Sequence, residues 1–177
     1  VGSVFQNPRS QFFNVDNTSE ITFGCENLGM PWEEILRRLA HTVSALKLEK
    51  LLDRSIFELS GGEKQKIACA GAFMMAPQVF VLDEPSSNLD ADAILDLRQV
   101  IAYLKSLGKT VVLSEHRLYY LQGVADRYIY MKNGRIRSDY TQAEFDRIPD
   151  GERKAMGLRA ASLSALMADG STGRRQT

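Results

Sequence analysis

The run Val79-Phe80-Val81-Leu82, set between Pro77-Gln78 and Asp83-Glu84-Pro85, constrains this chain more than any other segment. Four apolar residues in succession leave no polar face for water, so the run reads as a strand buried inside a sheet. Helical periods surround it. Ser60-Gly61-Gly62-Glu63 opens one helical stretch that continues through Met75 and is closed by Pro77. Ala91 to Leu107 predicts another, with Ile94, Leu95, Leu97, Val100, Ile101 and Leu104 as its inner side and Gly108 as its stop. Strand Thr110 to Leu113 follows. Upstream, Val1 to Phe5 alternates like a strand until Gln6-Asn7-Pro8 breaks it. Pro31 to Leu52 predicts an amphipathic helix carrying Ile35, Leu36, Leu39, Val43, Leu46 and Leu48. Helix and strand alternate, so the expected fold class is α/β with a mostly parallel sheet.

Later segments are simpler. A short helix near Leu118 to Gln122 leads to Arg127–Met131, and Asn133-Gly134 turns that strand into Arg135-Ile136-Arg137 as a hairpin. Residues 151–166 are compatible with one helix, and 168–177 read as a linker or frayed end. The 22 basic and 22 acidic side chains balance, which gives no reason to expect nucleic acid as a partner. The longest uncharged run, Ile67 to Leu82, is too short to cross a bilayer. Cys25 and Cys69 form no CxxC pair, so neither a disulfide framework nor zinc is expected, and a reducing compartment fits. The start, Val-Gly-Ser-Val without Met or an apolar leader, reads as a cut.

Three places carry possible chemistry, each with a plain structural alternative. Asp83 and Glu84 at a strand tip suit Mg²⁺ binding and activation of a water, or else form a solvated turn. Ser60 and Glu63 have capping-box spacing, while the two glycines between them suit a backbone that approaches phosphate closely. His116 ends the strand segment Thr110 to His116, so it is expected at the same carboxyl edge as Asp83 and Glu84, as a phosphate donor or as a satisfied structural histidine.

In order, Gln6-Asn-Pro, Leu59-Ser-Gly-Gly-Glu63, Val79-Phe-Val-Leu-Asp-Glu-Pro85, Ser87-Asn-Leu-Asp90 and Ser114-Glu-His116 resemble the Q-loop, signature, Walker B, D-loop and H-loop of ATP-binding-cassette (ABC) transporter nucleotide-binding subunits. The resemblance covers roughly Val1 to Arg137. It implies a partial P-loop NTPase core with a helical subdomain at about 12–75 inside a domain spanning 1–150, followed by a C-terminal helix and tail at 151–177. It implies ATP and Mg²⁺ as ligands: Asp83 and Gln6 for the metal, Glu84 as general base, His116 on the γ-phosphate, and Gln6 also near the attacking water. Ser60, Gly61, Gly62, Glu63 and Asp90 would face ATP held by a second cassette, whether an identical chain, a paralogue or a further domain of the same chain. The partner would be a transmembrane transporter subunit, and the location the cytoplasmic face of the cell membrane. Residues 6–13 and 114–121 resemble the energy-coupling-factor (ECF) branch, which implies uptake of a vitamin or a transition-metal ion. Phe12-Phe13 and the Pro31 helix are candidates to dock the membrane partner, or else pack inside.

The sequence departs from the family in two ways. There is no G-x-x-x-x-G-K-[ST] loop between strand and helix, since Gly108-Lys109-Thr110 follows a helix and has Tyr103 where the first glycine belongs. The adenine-stacking aromatic is missing with it, so the chain alone is expected to hydrolyse no ATP, and neighbouring strands are expected to expose backbone edges and apolar faces. Glu63 also stands where the family more often has Gln. Two alternatives remain, a soluble ABC-type ATPase of translation and a non-hydrolysing docking module. DNA-repair relatives with long coiled coils do not fit the short span from Gln6 to Leu59.

Overall fold

The computed structural model describes residues 1–158. The chain forms two compact units, the first Val1–Ser114 and the second beginning at Glu115.

In the first unit, strands β1 (Gly2–Val4), β2 (Val79–Asp83) and β3 (Thr110–Ser114) make a parallel sheet in the order β1-β2-β3. Val4 pairs with Leu82, Leu82 with Leu113, and Asp83 with Ser114, so all three strands point their carboxyl ends to one edge. Val4, Phe80 and Leu82 are fully buried on one face. Val81 and Val112 lie on the other face and remain 37% and 51% exposed. The apolar run is therefore a half-covered strand within this unit, and β3 has no second strand partner among the described residues.

Four helices belong to this unit. Helix α1 (Asn17–Asn27) lies in a stretch without a helical period of apolar residues. It is nucleated by Asp16, whose side chain accepts from Ser19 N, and it buries only Ile21 and Cys25 among its apolar residues. Helix α2 (Trp32–Leu46) begins after Pro31, as expected, but stops six residues before Leu52. Lys47 takes a left-handed conformation (φ 56°) and lets Leu48 N reach Val43 O at 2.9 Å, a C-cap made without the usual glycine. Leu48 and Leu51 are then buried from the loop. Helix α3 (Gly61–Met74) is capped by Ser60, and α4 (Ala91–Ser106) by Asp90. On α4, Ile94, Leu97, Val100, Ile101 and Leu104 are buried as expected, whereas Leu95 is 52% exposed because it stands off that stripe.

The second unit contains an antiparallel hairpin of β4 (Arg127–Lys132) and β5 (Arg135–Thr141). Asn133 and Gly134 both have positive φ, 53° and 70°, the requirement of a two-residue type I′ turn. Tyr128 stacks on Phe145 of helix α5 (Gln142–Asp146) with ring centroids 4.1 Å apart. Helix α6 covers Asp150–Ala155. The rest of the helix expected at 151–166, beyond residue 158, and the tail at 168–177 lie outside the described residues. No helix among the described residues is long and apolar enough to cross a membrane.

Candidate functional site

The parallel register brings the ends of β1 and β2 together. Gln6 follows Phe5 beyond β1, and its Nε2 donates to Glu84 Oε2 at 2.8 Å, a contact across 78 positions of sequence. Asp83 ends β2 and is solvent-exposed. Glu84 has φ 40°, a left-handed backbone that a non-glycine residue adopts only under constraint. The constraint is visible, since Glu84 N donates to Ser114 O at 2.8 Å and its carbonyl accepts from Ser87 N at 3.1 Å. Strand β3 thus fixes the backbone that aims Glu84, and β1 fixes the amide that meets it. Gln6, Asp83 and Glu84 thus lie at one edge of the sheet.

Their donor set is one of hard oxygens. With Nε2 of Gln6 committed to Glu84, its Oε1 and the Asp83 carboxylate remain for a small divalent cation, which suits Mg²⁺ more than a soft metal. Among the described residues no group of three or more His, Cys, Asp or Glu could hold a metal. Mg²⁺ here would need further oxygens from a nucleotide and water.

A second group forms at the start of α3. Glu63 N donates to Ser60 Oγ at 3.2 Å and Ser60 N to Glu63 Oε2 at 2.7 Å, a complete capping box. The Ser60 amide, and secondarily Arg54, hold the Glu63 carboxyl below the usual glutamate range. Arg54 Nη1 lies 3.4 Å from Glu63 Oε1. No spacing rule in the sequence links this arginine to Glu63. Lys64, 5% exposed, donates through Nζ to Leu59 O, and burial lowers its pKa.

The glycines have a packing reason of their own. A Cβ on Gly62 would stand 2.6 Å from Ala93 Cβ, and one on Gly61 would stand 3.3 Å from Asn88 O. The first turns of α3 and α4 therefore touch. Asp90 Oδ1 accepts from Ala93 N at 2.8 Å, a cap that accounts structurally for this aspartate. Lys66 and Asp96 join the same two helices at 2.6 Å. Ser60, Gly61, Asn88 and Asp90 are all exposed, so two helix N-termini open side by side onto one surface. Their free amides and dipoles favour anions.

His116 belongs to the second unit, not to the first with Asp83 and Glu84. It is exposed, and its N–H donates to Glu115 Oε1 at 2.8 Å. Glu115 also accepts from Arg117 N at 3.0 Å and, through Oε2, from Tyr120 OH at 2.8 Å, so this carboxylate organises the turn bearing His116. The expected docking residues divide. Phe12 is half-buried, whereas Phe13 is 75% exposed and stacks on Phe23 at 5.0 Å. Trp32 and Phe57 are 61% and 74% exposed.

Residues 1–87 match the family described as ABC transporter. A putative ABC transporter ATP-binding protein of Treponema denticola is 50% identical over 96% of this chain and 35% of its own length. Another, of Pyrococcus horikoshii, is 36% identical over 96% of this chain and 64% of its own. Among solved structures, cbiO1 of Clostridium perfringens, part of the ABC transporter complex cbiONQ, superposes with a TM-score of 0.77 at 30% identity, covering 94% of this chain and 66% of that one. The chain thus spans about a third of the length of the first relatives it matches. With these matches and the α/β architecture they share, the chain belongs to the ATP-binding domains of ABC transporters.

Proposed function

We propose that this chain is part of an ATP-hydrolysing subunit of an ABC importer of the energy-coupling-factor type, acting on the cytoplasmic face of the cell membrane. The Gln6–Glu84 hydrogen bond carries the reading. A carboxylate held by an amide at the carboxyl edge of a parallel sheet is the arrangement needed to orient a water for attack on a phosphoryl group.

In this reading Glu84 accepts the proton of the attacking water, and Gln6 holds that carboxylate in place while offering Oε1 to the metal. Asp83 supports Mg²⁺, which supplies charge neutralisation at the phosphates. His116 is assigned to the γ-phosphate on the resemblance of Ser114-Glu-His116 alone. The surface of Ser60, Gly61, Gly62, Glu63 and Asp90 closes over ATP held by a second cassette, whether an identical chain, a paralogue or a further domain of the same protein, supported by the two helix N-termini exposed there. Arg54 keeps the acidic Glu63 tolerable near that ATP. Exposed Phe13, Trp32 and Phe57 dock a transmembrane subunit, and the solute is a vitamin or a transition-metal ion. The helical subdomain at 12–75 supplies that docking face.

The full-length protein, purified with its partners, tests this. Mg²⁺-dependent ATP hydrolysis together with co-purification of a multispanning membrane protein is the expected result. Recovery of ribosomes in place of a membrane protein would favour the translation-factor alternative. Membrane-protein binding without hydrolysis would favour a docking module.

A further inference from the structure

Beyond Gln6 itself, the segment after it contains a second glutamine whose carboxamide performs an unusual task. Gln11 Oε1 accepts from Phe5 N at 3.1 Å, and Gln11 Nε2 donates to Ser3 O at 3.1 Å. These backbone groups lie on either side of Val4, which pairs with Leu82 of β2. In a parallel ladder, one residue of a neighbouring strand donates to residue i−1 and accepts from residue i+1. One side chain here makes both bonds. It returns to the strand because residues Pro8–Gln11 form a 3-10 turn capped by Asn7, whose Oδ1 accepts from Arg9 N at 3.1 Å and whose carbonyl accepts from Ser10 N at 3.1 Å.

We propose that Gln11 is a positioning residue for ATP hydrolysis: its carboxamide joins the 3-10 turn to the edge of β1 and so fixes the strand tip from which Gln6 reaches Glu84. Gln6 is exposed, and a long exposed side chain loses rotamer freedom whenever it is held. Holding the backbone before it through Phe5, and after it through the Asn7 cap, fixes where that side chain starts, so that only its rotamers remain to be ordered. The inference rests on the roles of Gln6 and Glu84 given above.

The test uses the full-length protein. Gln11→Leu removes both polar groups, and Gln11→Glu keeps the acceptor for Phe5 N while losing the donor to Ser3 O. Two readouts need no turnover: hydrogen exchange at the Phe5 amide, and the side-chain amide NMR signal of Gln6, assigned by its loss in Gln6→Ala. For Gln11→Leu, Phe5 exchange is expected to quicken by about tenfold or more as the edge opens locally, and the Gln6 signal to move to that of a solvated amide. The kcat should fall about tenfold with KM for ATP kept within about twofold, since the interaction matters in the transition state. Gln11→Glu should retain Phe5 protection and show a smaller loss of kcat. Unchanged Phe5 exchange in Gln11→Leu overturns the clamp, and faster exchange with unchanged Gln6 signal and kcat overturns the positioning role. If Gln11→Leu fails to fold, Gln11→Glu decides: a shifted Gln6 signal with lowered kcat supports the proposal, and wild-type behaviour in both refutes it. A wild-type protein without ATPase activity would refute the functional reading instead, while the Phe5 and Gln6 signals still decide the clamp.

Discussion

Replacing Gly62 by alanine probes the contact that sets α3 against α4. The added Cβ would stand 2.6 Å from Ala93 Cβ, about 1 Å inside the usual carbon–carbon separation. Neither group can swing away, because both are fixed to helix backbone. Overpacking of this kind costs about 1–3 kcal/mol. Alanine is also the better helix former by roughly 1 kcal/mol, which offsets part of that cost. We expect Gly62→Ala to lower unfolding stability by about 0–2 kcal/mol, net of these two effects. The decisive comparison is a double-mutant cycle with Ala93→Gly, measured by urea denaturation of the full-length protein. Ala93→Gly alone should cost about 0.5–1 kcal/mol through backbone entropy. In the double variant the nearest remaining atom is Ala93 Cα at 3.8 Å, ordinary van der Waals contact, so the clash disappears. The cycle should therefore show a favourable coupling of about 1–3 kcal/mol, well beyond the additivity limit of about 0.5 kcal/mol. Strict additivity would mean that α3 and α4 do not meet at Gly62 and Ala93, and the shared surface of Ser60 and Asp90 would go with that contact.

Asn17 is fully buried; its side chain donates to Leu51 O and accepts from Arg54 N at 3.3 Å, so Asn17→Leu should cost about 2–4 kcal/mol in denaturant unfolding by leaving two backbone groups unpaired. A loss under about 0.5 kcal/mol, typical of a surface change, would contradict that burial. Acid should act through the caps. The Ser19 amide lowers the Asp16 pKa and the Ser60 amide lowers that of Glu63, so their stabilisation is complete above the unfolded values of about 3.9 and 4.3 and is lost as pH falls through the depressed folded values. The melting temperature should hold between about pH 7 and 5, then drop below about pH 4, less steeply in Glu63→Gln; a wild-type slope in that variant would count against the Glu63 cap.

The sequence carried the sheet and the order of its loops well, for physical reasons. Proline, a strand-length apolar run and capping spacing act locally, so β2, α3 and α4 were legible from Val79–Leu82, Ser60-x-x-Glu63 and the α4 stripe. Helix α1 was not, because its start depends on the single cap of Asp16 and its few apolar residues make no continuous face. The end of α2 falls short of the expected Leu52 because Lys47 adopts the left-handed turn that usually announces itself with glycine. At the candidate site, the sequence shows which residue types stand where but not their partners. Nothing in the spacing of Gln11, Arg54 or Glu115 indicates that their side chains bind Phe5, Glu63 and the turn at His116. Those contacts exist only once the strand register and the loops have formed. Gly62 shows the converse, since a glycine that suggested ligand approach also answers to a neighbouring helix.

The proposed function requires Glu84 to activate water while Gln6 holds it. Glu84→Gln keeps the shape and the ability to pair with Gln6 but removes the base, so its effect separates hydrolysis from nucleotide-driven assembly. Measured on the full-length protein, ATP turnover should fall by about 10²–10⁴-fold, while ATP should still drive dimerisation seen by size-exclusion chromatography. Turnover at the wild-type rate would remove Glu84 from the role of base and contradict the account.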